Sequence, residues 1–201
     1  MVDTKGPLSL HHPLHTQIQM TPEELKAKIR SCTACPLHKG RTLGVPGYAN
    51  TPHPRLAVVG ESAGRVEDEF GTPHVGPAGV YLRKALQSAG FHEDEVLFTN
   101  IVRCISFGPA PSEAIAECKK WTDEEYNLYK PSVVLLMGRG AINTVWPTSN
   151  VVGIRGSYGI FGGTVFVPTY NPAAVLRNEE LKDLFLSDLV LARELCEQLT
   201  R

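Results

Sequence analysis

Twenty residues, Gly60 to Gly79, constrain this chain more than any others: GESAGRVEDEFGTPHVGPAG. An apolar run, Leu56–Val59, enters the stretch, and a helical pattern, Val80–Ala89, leaves it. Strand, glycine-rich loop and helix in that order place a ligand site at the carboxyl end of a strand, facing a helix N-terminus. Five glycines allow close backbone approach, and four carboxylates supply polar chemistry. The stretch is not a GxGxxG dinucleotide fingerprint. It is not a P-loop either, because no Gly-Lys-Ser/Thr closes it.

The length of 201 residues predicts one domain large enough to bury a core. Residues 1–20 read as a flexible tail, and residues 21–201 as a single domain. The tail carries His11, His12 and His15. They could bind metal, although histidines in an aperiodic arm are more often incidental. No apolar run reaches membrane-spanning length, and no leader pattern opens the chain. A cytoplasmic monomer without membrane contact is therefore expected. The net charge of −1 excludes a generally basic surface but leaves room for a local basic groove.

Strand and helix signals alternate along the chain. Thr21-Pro22-Glu23-Glu24 has the form of a capping box with proline at the first helical position, so a helix should run to about Ser31. Strands are expected at Leu56–Val59, Val96–Asn100, Ser132–Met137 and Thr164–Pro168. Helices are expected at Tyr81–Ala89, from a cap at Ser112 to near Lys130, and at Leu181–Leu199. Gly153–Tyr158 reads as a connection that could form a short edge hairpin with Ile160–Phe161. This pattern predicts a three-layer αβα sandwich around a four-stranded, mainly parallel sheet. Glu61, Asn100 and Asn171 all fall at strand ends, which converge on one rim in a parallel sheet. A carboxylate, two amides and a glycine-rich floor make that rim the default site.

The five cysteines are Cys32, Cys35, Cys104, Cys118 and Cys196. An odd count argues against a disulfide framework, and Cys32-Thr33-Ala34-Cys35 points to metal, cluster or redox use. Zinc and an iron–sulfur cluster both suit four thiolates.

The stretch at Gly60–Gly79 resembles the first motif of the family 4 (iron–sulfur) uracil-DNA glycosylases, roughly GEAPGxxEDxxGxPFVGxAG. Cys32–Leu37 with Arg41-Thr42 is similar to that family's CxxCxLxxxRT. Phe98–Cys104 resembles its TNxxKC, and Pro168–Arg177 its closing PTYHPAAxLR. The likeness covers about residues 21–199. It implies a [4Fe–4S] cluster on Cys32, Cys35, Cys104 and Cys118. It also implies cleavage of the N-glycosidic bond of uracil or a related base extruded from DNA. Glu61 would serve the sugar side and Asn171 the base O2. Gly60, Ser62, Ala63, His74 and Asn100 would form the base pocket. Leu176 and Arg177 would enter or line the minor groove.

Four residues at three places depart from the family pattern. His74 stands where the family has a stacking Phe, Asn171 where it has a catalytic His, and Ser62-Ala63 where it has Ala-Pro. The Asn-Pro pair is similar to the closing motif of the mismatch-specific uracil/thymine glycosylases. The alternative to a glycosylase is a protein of the same fold that binds DNA or a modified base with little or altered cleavage.

Overall fold

The computed structural model describes residues 20–146 and 150–199. The three tail histidines lie outside the described residues. Helix α1 (Pro22–Arg30) opens on the expected capping box, in which Glu24 N donates to Thr21 Oγ1 and Thr21 N donates to Glu24 Oε2. It buries Leu25 and Ile29 and leads into a 3-10 turn, Pro36–Gly40.

Then follow β1 (Leu56–Ala63), α2 (Arg65–Phe70), α3 (Pro77–Ser88), β2 (Val96–Ile105) and α4 (Ser112–Tyr129). After these come β3 (Val133–Met137), α5 (Arg139–Ile142), α6 (Val151–Ile154), β4 (Gly159–Phe161) and β5 (Thr164–Thr169). Helices α7 (Pro172–Arg177) and α8 (Lys182–Gln198) complete the described chain. The sheet order is β2-β1-β3-β5-β4, parallel except for the antiparallel β4 edge.

Side-chain alternation along β1 builds both outer layers. Leu56 and Val58 join Leu82, Leu86, Phe185 and Leu189 of α3 and α8. Ala57 and Val59 join Ala114, Tyr129, Ala141 and Ile142 of α4 and α5. Strands covered on both faces are continuously apolar, which is why Leu56–Val59 and Val133–Met137 stand out in the sequence.

The sheet has five strands rather than four. The fifth, β4, is three residues long, and Ile160 and Phe161 are exposed, so no burial pattern announces it. Its hairpin turns through Gly162 and Gly163, both at positive φ, the conformation that a tight hairpin demands. Four smaller expectations also change. The organising loop contains α2, bracketed by Gly64 and Gly71 and too short for a periodic signal. The helix after this loop begins at Pro77. Pro111 occupies the cap position of α4 without a side-chain bond, and Ser112 is the first helical residue. Finally, Glu61 and Asn100 lie within strands, since β1 runs to Ala63 and β2 to Ile105. No described helix is long and apolar enough to cross a membrane.

Candidate functional site

Strand β1 is flanked by β2 and β3, so the chain reverses its direction of winding beside β1. The β1–β3 pairing ends at Val59↔Leu136, while β1–β2 pairing continues to Ala63↔Ile105. The sheet therefore forks beyond Val59, and the fork is where the rim residues gather.

Gly60 pairs with Asn100 across β1 and β2. A Cβ built on Gly60 would lie 2.3 Å from Asn100 Oδ1 and 3.0 Å from His74 Cε1. A side chain there would displace both, so only glycine lets Asn100 and His74 approach the strand this closely. Asn100 is 2% exposed, and its side-chain amide has no hydrogen-bond partner among the described residues.

His74 sits at φ 54, and its Nε2 lies 2.8 Å from the Thr99 carbonyl oxygen. A carbonyl only accepts, so Nε2 carries the proton and Nδ1 is an acceptor. Burial pushes the imidazole below its usual range, against the Thr99 bond and the charge of Glu67, which pull it up. The ring is thus neutral at pH 7, as a stacking surface for an uncharged base requires. A depressed histidine favours the folded form above its unfolded pKa of about 6.5, and that contribution is lost as pH falls through the folded value. Base affinity should therefore stay flat across neutral pH and fall only on acidification below the ordinary imidazole range, where His74 takes up a proton. Fluorescence titration of uracil-containing DNA across this range checks it. Affinity that rises on acidification in the wild type, relative to His74→Phe, would show a charged ring.

The conformation of His74 is held by Glu67, whose Oε1 accepts from Val75 N at 3.0 Å and Gly76 N at 2.7 Å. The neighbouring Asp68 is buried and accepts from Thr42 N with both oxygens. Two of the four loop carboxylates thus fasten backbone rather than perform chemistry. The cue was their position in α2, which the sequence did not reveal. Glu67→Ala orphans two N–H groups and should cost about 1–3 kcal/mol, measured by denaturant unfolding.

Glu61 points into the fork. Its Oε1 accepts from Ala110 N at 2.7 Å. The carboxylate packs against Gly140 of α5, where a Cβ would lie 2.3 Å from Oε2. Oε2 has no partner among the described residues and is available to a water molecule. Ser62 and Ala63 occupy a paired segment with a register shift between them, and Ala63 is buried. They shape the strand end beside Glu61 rather than form a loop over it.

Asn171 follows β5 and packs against Gly138 at the end of β3. It is the N-cap of α7, its Oδ1 accepting from Ala173 N at 2.8 Å. That bond fixes the amide orientation and leaves Nδ2, a donor, without a partner among the described residues. Behind it, Asp188 accepts from Thr169 Oγ1 at 2.7 Å and pairs with Arg155, whose guanidinium lies over the Tyr170 ring. Leu176 and Arg177 fall at the end of α7, both exposed.

A second locus lies on the α4 side of the sheet. Cys32, Cys35, Cys104 and Cys118 line one cavity with Arg41, Arg103 and Trp121. All four are free thiols, and three are buried. Arg41 Nη1 donates to Cys104 Sγ at 2.8 Å, and its Nη2 donates to the carbonyls of Cys32 and Arg30. Burial pushes the thiols of Cys104 and Cys118 up. Arg103 Nε and Nη1 and Trp121 Nε1 are buried without a partner. Among the described residues, no three His, Cys, Asp or Glu side chains form a group that could hold a metal ion. Cys196 lies apart on α8, buried, its thiol raised to about 11 by burial.

The profile of the "Uracil DNA glycosylase superfamily" matches residues 46–190. The chain is 32% identical over 179 residues to a type-4 uracil-DNA glycosylase of Thermotoga maritima, covering 85% of this chain and 92% of that one. It is 32% identical over 186 residues to the Archaeoglobus fulgidus type-4 uracil-DNA glycosylase, covering 87% and 92%. The corresponding Sulfurisphaera tokodaii protein is 30% identical over 186 residues, covering 86% and 84%.

Proposed function

The chain belongs to the uracil DNA glycosylase superfamily, and from that premise we propose that it hydrolyses the N-glycosidic bond of uracil, or a related base, flipped out of DNA. The observation that carries this reading is the close packing of the Asn100 amide and a neutral His74 ring over Gly60, at the fork that Glu61 enters.

An extruded base fits this pocket by its chemistry. His74 stacks on its face, and the Asn100 amide pairs with its edge. Bond cleavage builds positive charge on the sugar and negative charge on the departing base. The free Oε2 of Glu61 orients water and offsets the sugar charge. Asn171 Nδ2 donates to the base O2, where negative charge develops. Nothing in these steps leaves the protein covalently modified, so the activity is monofunctional.

The four-cysteine cavity fits a [4Fe–4S] cluster. Four thiols converge there, and the orphaned N–H groups of Arg103 and Trp121 supply donors that sulfur would accept. Cys32, Cys35, Cys104 and Cys118 would hold it. Hydrolysis needs no electron transfer, so the group serves as a cross-link between the segment after α1, β2 and α4. DNA is the partner, gripped at the rim. Arg177 has no ion-pair partner among the described residues, and Leu176 beside it is 44% exposed. Replacing both by alanine should weaken duplex binding and flatten its salt dependence by about one phosphate contact. Binding curves at several salt concentrations check this.

A second reading, a base-binding protein with little cleavage, is favoured by one feature. Asn171 spends its carbonyl on the α7 cap and offers only a neutral amide to a developing anion. An abasic-site assay on single- and double-stranded oligonucleotides, each with one uracil, decides between them. Alkali-sensitive breaks at the uracil support the glycosylase. Tight uracil-dependent binding without breaks supports the binding protein.

A further inference from the structure

We infer that Arg103 is a positioning residue shared between the cysteine site and the base pocket, so that the two are mechanically and electrostatically joined. The inference rests on the cluster reading above. Arg103 is 1% exposed and divides its guanidinium between two neighbours. Its Nη2 donates to Glu125 Oε2 at 2.9 Å and to Thr122 Oγ1 at 3.2 Å. Its Nε and Nη1 have no partner, and Arg103 forms part of the wall of the four-cysteine cavity.

The path continues on the other side. Glu125, also 1% exposed, accepts from Thr99 Oγ1 at 2.6 Å and from Gly47 N at 2.8 Å. The Thr99 carbonyl accepts from His74 Nε2 at 2.8 Å, and Asn100 is the next residue. Cysteine cavity, Arg103, Glu125, Thr99 and His74 thus form one chain of contacts. A buried ion pair is expensive to desolvate and is kept where a second contact completes it. The unpartnered Nε and Nη1 are that incomplete half. Sulfur of a bound cluster would accept from them, and the cationic donor would make the cluster easier to reduce. Trp121 Nε1, the third orphan in the same wall, would act likewise.

The test uses anaerobically prepared full-length protein in a Glu61→Gln background, so that binding is read without cleavage. Two quantities are measured for the parent, Arg103→Met and Arg103→Lys. One is the reduction potential of the bound cluster. The other is the ratio of affinities for uracil-containing and plain DNA. Arg103→Met should shift the potential to more negative values and lower the affinity ratio several-fold. Arg103→Lys keeps a cation for Glu125 but not the second set of donors. It should shift the potential in the same direction while retaining most of the ratio. If the Met variant does not fold, the Lys variant decides alone through its potential. A parent without iron overturns the cluster reading and this inference together. A parent with an iron–sulfur cluster whose potential and affinity ratio are unmoved by either variant overturns this inference only.

Discussion

Asn171→His should raise single-turnover cleavage of uracil DNA about 10-fold or more, since a single donor to a developing oxyanion is worth on the order of 10²–10³ in rate. Asn171 sits at the start of α7, between the buried Pro172 and Tyr170, which packs beneath Arg155. The local backbone therefore already presents the side chain. Losing the Oδ1 cap to Ala173 N should cost about 1 kcal/mol of stability, which separates the chemical gain from the structural loss. Glu61→Gln should lower the rate in both backgrounds by about 10²–10⁴, the range of a positioned general base. His74→Phe should add independently to Asn171→His if the two sites do not touch. Rapid-quench kinetics with enzyme in excess over DNA reads the parent and every variant. A His variant that gains nothing while Glu61→Gln still loses activity would remove Asn171 from the base O2.

Cys104→Ala should abolish the brown colour and broad visible absorbance of anaerobically purified protein and sharply lower its solubility. Cys104 is buried and receives Arg41 Nη1, so its loss removes an acceptor of that guanidinium as well as a ligand. A lost hydrogen bond to a charged donor costs about 1.5–3 kcal/mol, a sizeable fraction of a domain's stability. Cys196→Ala, by contrast, should keep the colour, because Cys196 is packed under α8 away from the cavity. Iron and acid-labile sulfide analysis alongside absorbance spectra distinguishes the outcomes. Stoichiometric zinc in colourless protein would replace the cluster with the other ion suited to four thiolates.

The sheet was legible where burial is two-sided. Leu56–Val59, Ser132–Met137 and Thr164–Pro168 lie within one residue of observed strand residues because their apolar runs face helices on both sides. Strand β4 was legible only as an edge hairpin strand at Ile160–Phe161; its partner is β5 rather than Gly153–Tyr158, because an exposed three-residue edge leaves no run that fixes the pairing. The residues proposed for the base pocket do come together: Gly60 and Asn100 are paired, and His74 packs against them. The separate duties of the loop carboxylates were hidden. Only α2 shows that Glu67 and Asp68 face backbone N–H groups while Glu61 faces the fork. Arg103 and Glu125 were hidden too. They are distant in sequence, and their pairing exists only once β2 packs on α4. A charged residue inside the apolar run VLFTNIVRCI was the signal that could have exposed them.

The central claim is that Glu61, His74, Asn100 and Asn171 together release a base from DNA. Its most direct test is to quantify free base by mass spectrometry after incubating the protein with uracil-containing oligonucleotide under single-turnover conditions. Free uracil is expected in one-to-one proportion with abasic sites, with strongly reduced release by Glu61→Gln. No free uracil from the parent protein, and none from Asn171→His, would contradict it.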